Sequence, residues 1–220
     1  MKIVINSYIK NQIALEHLLD SMKLDNEFKN YEIIVVIGGY YDIPDYIIEK
    51  NENVVYIKCN HNSIDFTGLI TLYELYSNDI DVYYLYIHDT CRVGDKFFSL
   101  LKLIDTTGVT SMKLNATYSM NMGIYSQKII NSSKDFLMTQ KNTDPIKSQQ
   151  FKGLCVDTED RITNSDKNVK IINNHRAPVT SGPTDYYGNG IMRKTEYYCN
   201  LDIYKIKANW SRSEIYILDL

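Results

Sequence analysis

The sequence predicts an α/β fold in one domain, with a central, mostly parallel sheet flanked by helices. Three observations carry this. β-Branched, strand-like runs alternate with amphipathic helical segments through roughly the first hundred residues, the pattern that right-handed βαβ crossovers require. Glu32 to Ile37 (EIIVVI) is a near-continuous apolar run halted by Gly38 and Gly39, as expected of a parallel strand covered on both faces. The chain has 220 residues, 44% hydrophobic and 23% charged, enough for one substantial core, since a domain near this size hides roughly 70% of its unfolded surface.

Lys2 to Ser7 (KIVINS) is a short β-branched run and reads as a buried strand. Asn11 to Met22 sets Ile13, Leu15, Leu18, Leu19 and Met22 at mostly helical spacing, so a helix follows. After EIIVVI, Asn53 to Lys58 (NVVYIK) supplies a third strand. Ile64 to Tyr76 is a helix that opens with Asp65 in its first turn, where a carboxylate suits the helix dipole. Val82 to Ile87 (VYYLYI) is the most β-like stretch and forms the fourth strand, and Phe97 to Ile104 reads as a helix. The second half is less regular. It offers a short strand at Ser111 to Leu114, a helix at Gln127 to Met138 and a polar loop or lid at Lys141 to Lys152. A strand at Lys170 to Ile172 and strand-like segments at Met192 to Tyr198 and Ile203 to Lys207 follow.

Composition excludes several classes of function. Lys plus Arg total 24 against 27 for Asp plus Glu, a net charge of −3, so the chain lacks the basic footprint of a nucleic-acid binder. Four Pro, ten Gly and 19 Tyr argue for an ordered chain with many polar-tipped aromatic rings. Cys59, Cys91, Cys155 and Cys199 lie 32, 64 and 44 residues apart, without the close pairs of a zinc site or redox couple, and read as reduced structural thiols. MKIVINSYIKNQ is too short in apolar residues for a signal-peptide core, and no run approaches the ~20 residues of a membrane helix. A cytoplasmic protein without a membrane span is expected.

In open α/β sheets, ligands bind beyond the carboxyl ends of the strands. That rule selects Asn6-Ser7-Tyr8, Gly38-Gly39-Tyr40, Cys59 to Ser63 and His88-Asp89-Thr90. It demotes Asp79-Ile80-Asp81, which precedes the fourth strand, to a solvated turn. Asp89, with hydroxyl, water and phosphate oxygens, suits a Mg²⁺ or Mn²⁺ ion, because such ions often rely on one or two carboxylates plus substrate phosphates; it equally suits a helix cap beside a His88 held in a polar network. Asp65 can grip a ribose or sugar hydroxyl, or simply favour the helix dipole. Asp157, Glu159 and Asp160 lie beside Arg161, either as a solvated charge run or with one of them as a general base. His175-Arg176 can meet phosphate or sit in an exposed loop. Lys205 and Lys207 alternate along a strand and share one side, where they clamp a diphosphate or form an exposed polar face. G-x-G-x-x-G, Walker, G-x-S-x-G and H-E-x-x-H patterns are absent.

Taken together, the N-S-Y loop, N-S-I-D-F-T-G, YYLYIHDT, NMGIYS and the tail of YGNG, RKTEYY and LDIYKIKANW resemble small nucleotide-sugar glycosyltransferases of the type A (Rossmann-like) fold. The tail is similar to glycosyltransferase domains of large algal DNA viruses and of bacterial polysaccharide clusters. The resemblance spans nearly the whole chain. It implies a single glycosyltransferase domain over 1–220, with a nucleotide-binding half (1–105) and an acceptor half (106–220), acting in the cytoplasm, that of the host if viral.

It further implies a transferase moving a sugar from a UDP-sugar donor to a hydroxyl of a glycan acceptor, assisted by Mn²⁺ or Mg²⁺. Asn6, Ser7 and Tyr8 would border the base, with Gly38 and Asp65 near base or ribose. His88 and Asp89 stand at the Asp-x-Asp-like position. Asp89 would hold the ion and His175 complete its shell, because His88 and Thr90 replace the two outer acids. Asn121, Met122 and Gly123 would lie by the donor sugar, Arg193 and Lys207 by the leaving diphosphate, and the base would be Asp157, Glu159 or Asp160. A sugar-phosphate nucleotidyltransferase is the second enzyme class; it wants a glycine-rich, arginine-bearing loop after KIVINS, which is absent. A non-catalytic nucleotide- or glycan-binding module is the third possibility.

Overall fold

The computed structural model describes residues 1–116, 119–147, 158–172, 177–181 and 194–207. In chain order these form β1 (Lys2–Tyr8), α1 (Gln12–Lys23), β2 (Ile33–Gly38), β3 (Tyr46–Asn51), β4 (Val54–Cys59), α2 (Thr67–Tyr76), β5 (Tyr83–His88), β6 (Cys91–Val93) and α3 (Phe97–Lys102). They continue with β7 (Ser111–Lys113), β8 (Gly123–Ser126), α4 (Gln127–Ser132), α5 (Lys134–Gln140), α6 (Arg161–Ser165), β9 (Lys170–Ile171), β10 (Ala177–Ser181), β11 (Lys194–Tyr198) and β12 (Ile203–Lys207). The chain divides into two compact units that interleave along the sequence. No described helix is long and apolar enough to cross a membrane.

The first unit comprises Met1–Ile9, Lys29–His88 and Thr106–Ile172. It is a mixed α/β assembly around an eight-stranded sheet in the order β3-β4-β2-β1-β5-β8-β7-β9. Its centre, β4-β2-β1-β5, is parallel, as the apolar runs predict. Ile3, Val4 and Ile5, which alternate between faces, are all fully buried, so the absence of apolar-polar alternation in these strands has a direct cause. One face carries α2, α4 and α5 over Val4, Ile34, Phe66, Tyr84, Tyr86 and Tyr125.

Antiparallel additions depart from the sequence expectation. The strand β3 pairs with β4 at the sheet's rim and is mostly exposed, so burial left no apolar pattern to read. It carries the edge charges Glu49 and Lys50, which discourage further strand pairing. The single helix expected over Gln127 to Met138 is two, broken at Ser133, whose N–H is shared between Ile129 and Ile130 carbonyls at 3.1 Å each. Ser132 Oγ donates to the Ile129 carbonyl at 2.9 Å, the local competition that makes serine a poor helix interior.

The second unit holds Lys10–Phe28, Asp89–Asp105 and the described residues after Asn173. Its four strands are antiparallel in the order β10-β11-β12-β6. The helix α1 buries Ala14, Leu15, Leu18, Leu19 and Met22, and Val93 N–H donates to Ser21 Oγ at 3.1 Å, tying β6 to it. Asp202 turns β11 into β12 with φ +51°. Its carboxylate accepts from Lys96 N–H at 2.9 Å and from the Tyr197 hydroxyl at 3.0 Å.

In the first unit, a Cβ added at Gly68 would stand 2.7 Å from Tyr86 Cε2. The ring cannot yield, because Tyr86 is fully buried and its hydroxyl donates to the Asp65 carbonyl at 2.7 Å. Helix propensity alone favours Ala over Gly by ~1 kcal/mol, while overpacking a rigid core costs about 1–3 kcal/mol. Gly68→Ala is therefore expected to destabilise despite its better propensity, read as a lower midpoint in urea denaturation.

Candidate functional site

Within the first unit, the carboxyl ends of β1, β2, β4 and β5 share one edge, and Asn6 sits between Val36 and His88 in register. Asn6 lies at that edge as the sequence predicts, but both ends of its amide are engaged by protein. Nδ2 donates to the Ile64 carbonyl and Oδ1 accepts from Gly68 N–H, each at 2.9 Å. This clamp holds Ile64 at φ +53°, which for a β-branched residue costs on the order of 1–3 kcal/mol. The Asn62 side chain, accepting from Ile64 N–H at 3.1 Å, and the Thr67 hydroxyl, donating to the Ile64 carbonyl at 3.1 Å, complete the restraint. One residue on, the Asp65 carboxylate stands 3.8 Å from His88 Nε2, with the Asp65 side chain 26% exposed.

Ser7 is buried and Tyr8 half-buried. Gly39, at φ +98°, lies under the Tyr8 ring, where a Cβ would come within 2.6 Å of Cε2. At Gly38 a Cβ would meet the His61 carbonyl at 2.8 Å, so the glycine pair lets the β4 exit loop close on β2. Behind it, His61 is fully buried; its Nε2 is 3.4 Å from the Tyr46 hydroxyl and its Nδ1 has no partner among the described residues. Burial, helped by the Lys141 charge, lowers the His61 pKa to about 4.

The turn before β8 forms a second cluster on the same edge. Met120 and Asn121 take φ +52° and +59°. Both are held from the segment before α6. Asp160, itself at φ +57°, accepts from Ser119 N–H at 2.7 Å, Ser119 Oγ at 2.8 Å and Asn121 N–H at 3.0 Å, and pairs with buried Lys113 at 3.2 Å. Asp160 is thus a buried anchor. Glu159 accepts from Met120 N–H at 2.6 Å and lines an open cavity of about 300 Å³ with Thr158, Arg161, Asn164 and Ser165. Asn121 is buried, and its Nδ2 has no partner among the described residues. Met122 is buried, and Gly123 is explained by packing, since a Cβ there would meet the Met112 carbonyl at 2.3 Å.

Within the second unit, Asp89 is buried and Thr90 opens the segment leading to β6. Lys205 lies opposite Cys91 in the β12–β6 register. It is only 6% exposed, and its ammonium donates to Thr90 Oγ1, while Ile206 N–H donates to the Thr90 carbonyl at 2.8 Å. An exposed polar face for Lys205 is therefore corrected: strand pairing on both sides covers it. Lys207 ends β12. Asp157, His175 and Arg193 lie outside the described residues. Lys113 and the Lys205–Thr90 pair escaped sequence reading; the available signal was a charged residue inside each of the strand patterns SMK and IYKIK.

Of the residues that would hold the cation implied by the motif resemblance, Asp89 is described and buried, and His175 lies outside the described residues. Among the described residues no three His, Cys, Asp or Glu side chains converge on a common point. The outer positions of His88-Asp89-Thr90 offer an imidazole and a hydroxyl already bonded to an ammonium.

No protein-family model matches the sequence, and no curated protein matches it. Among solved structures, the galactosyltransferase LgtC, crystallised with donor and acceptor sugar analogues, superposes with a TM-score of 0.48 at 14% identity, covering 79% of this chain and 73% of its own.

Two measurements follow from this geometry. Asp160→Ala leaves the buried Lys113 ammonium without its carboxylate, a loss of about 3–5 kcal/mol, whereas Glu159→Ala removes one bond to Met120 N–H, about 1.5–3 kcal/mol; thermal melts of both variants rank the two anchors. Because the folded-state pKa of His61 lies below its unfolded value near 6.5, its contribution is complete above that value. It is lost as pH falls toward about 4, by up to ~3 kcal/mol. His61→Phe is expected to flatten that part of the stability-pH curve, measured by urea denaturation across the window.

Proposed function

We propose that the chain is a glycosyltransferase that moves a sugar from a nucleoside-diphosphate sugar, with UDP as the nucleotide, to a hydroxyl of a glycan acceptor. What supports this most directly is the carboxyl edge of the first unit. A strained turn pinned by Asn6 offers Asp65 and His88, and a second strained turn offers Asn121 and Glu159. Strain that the surrounding hydrogen bonds over-determine is concentrated there, at the edge where α/β sheets bind ligands. The motif resemblance supplies the class of ligand.

In this proposal Ser7 and Tyr8 border the base, while Asn6 acts as a positioning residue through the Ile64–Gly68 turn. Gly38 seats the β4 exit loop on the base side, and the partly exposed Asp65 accepts from a ribose hydroxyl. Asn121 Nδ2, a buried donor without a partner among the described residues, bonds a hydroxyl of the donor sugar beside Gly123. The motif resemblance gives Arg193 and Lys207 the role of neutralising the departing diphosphate, and His88 and Asp89 the Asp-x-Asp-like position.

The reaction breaks the bond between the anomeric carbon and the diphosphate oxygen, whose electron pair leaves with the nucleotide. The acceptor oxygen forms the new bond to that carbon and loses its proton to a carboxylate. Of the described candidates, Glu159 faces the open cavity and Asp160 is occupied as an anchor, so Glu159 is assigned as base. Mn²⁺ or Mg²⁺, if bound, would be held by Asp89 and His175 with phosphate oxygens and would offset charge on the departing diphosphate.

The test is incubation of the full chain with a panel of UDP-sugars and oligosaccharide acceptors, followed by mass spectrometry. Formation of UDP together with a glycosylated acceptor is expected. Glu159→Gln should lower kcat by about 10²–10⁴-fold, the usual worth of a general base, with UDP affinity kept within about twofold. Pyrophosphate from UTP and a sugar phosphate would establish the nucleotidyltransferase instead, and bound but unchanged UDP-sugar would establish a binding module.

A further inference from the structure

The polar stretch after α5 opens with Lys141 and Asn142, and both are bound to the part of the first unit that carries Asp65. Asn62 N–H donates to the Asn142 carbonyl at 2.9 Å, and Asn142 N–H donates to Ser63 Oγ at 3.1 Å. The Asn142 side chain adds a third link. Its Nδ2 donates to the Asn62 carbonyl at 3.4 Å and to the Asp144 carbonyl at 3.2 Å, while its Oδ1 accepts from Asp144 N–H at 3.1 Å. Lys141 fastens the same segment to α2, donating to both carboxylate oxygens of Glu74 at 2.7 and 2.9 Å. Asn142, Asn62 and Ser63 are all buried, so water does not readily replace these bonds. We propose that Asn142 is a positioning residue for the nucleotide, holding Asn62 so that the strained turn at Ile64 presents Asp65 to the ribose.

The link runs through the Asn62 side chain. Its Oδ1 accepts from Ile64 N–H at 3.1 Å, and Ile64 is the residue at φ +53°. The Ile64 carbonyl is secured by Asn6 Nδ2 and the Asp65 carbonyl by the Tyr86 hydroxyl, so the outgoing side of the turn is fastened from β1 and β5. The incoming side is fastened by Asn62, and Asn142 binds both backbone groups of Asn62, the N–H and the carbonyl. A β-branched residue at positive φ persists only while its surroundings over-determine it. Truncating Asn142 removes one of its two bonds to Asn62, loosens the acceptor of Ile64 N–H and lets the backbone relax toward an ordinary φ, which turns the next carboxylate from its assigned place. An aspartate at 142 separates the two duties of the side chain. It still accepts from Asp144 N–H, but it sets an oxygen against the Asn62 carbonyl where a donor is needed.

This inference rests on the nucleotide-sugar proposal and is tested by calorimetry of UDP and of uridine with the full chain in Mn²⁺, as a double-mutant cycle with Asp65→Ala. Asn142→Ala is expected to weaken UDP and uridine by the same factor, about three- to tenfold, the worth of one hydrogen bond, and Asn142→Asp by at least as much. In the Asp65→Ala chain, which already lacks the ribose contact, Asn142→Ala should change neither affinity by more than about twofold. In turnover the loss belongs to KM for the UDP-sugar with kcat kept, a split that a general loss of folded protein does not give. An Asn142→Ala chain that keeps UDP affinity, that loses it equally with and without Asp65, or that loses kcat instead overturns the inference and leaves the glycosyltransferase proposal standing. So does an Asp65→Ala chain with the parent's affinity, since the ribose contact is then absent. Absence of UDP and uridine binding by the parent chain overturns the nucleotide-sugar proposal and this inference with it.

Discussion

The amide of Asn6 is the contact on which the candidate site of the first unit depends. It joins the last turn of β1 to the first turn of α2 by one bond given to Ile64 and one received from Gly68. With Gly68 fixed, α2 can lie directly on the Tyr86 ring, at a distance that no side chain but hydrogen allows. Tyr86, so placed, sends its hydroxyl to the Asp65 carbonyl. Asp65 in turn projects its carboxylate toward His88. Gly68 lies in the first turn of α2, where backbone N–H groups lack partners within the helix and a side chain can supply one. An aspartate in place of Asn6 would keep the acceptor and lose the donor, leaving the Ile64 carbonyl with only the Thr67 hydroxyl.

A comparable economy appears before β8. Three residues with positive φ, Met120, Asn121 and Asp160, would be unfavourable separately, at roughly 1–3 kcal/mol each. They are stabilised together, because the Asp160 carboxylate accepts from Ser119 and Asn121 while Asn121 Oδ1 accepts from Asp160 N–H at 2.9 Å. Lys113 supplies the counter-charge from β7. Such reciprocal bonding fixes the direction of the neighbouring Glu159 without burying it, which is how a general base can be both well placed and open to a hydroxyl.

Much of the parallel core was legible in the sequence because its strands are buried on both faces, so KIVINS, EIIVVI, NVVYIK and VYYLYI announce themselves by composition alone. The edge rule then selects Asn6 and His88, which do stand side by side at the carboxyl edge. Elements whose stability comes from partners left no such trace. The rim strand β3 is too exposed, β6 has three residues and β8 four, and the break at Ser133 depends on which carbonyls its N–H meets. The difference between Glu159 and Asp160 was equally invisible, since two adjacent acids have the same pattern and only the fold directs one to Ser119 and leaves the other at a cavity. The pattern of Lys205 suits a diphosphate clamp or an exposed polar face and does not show its burial, because the strands that cover it are distant in sequence or too short to read.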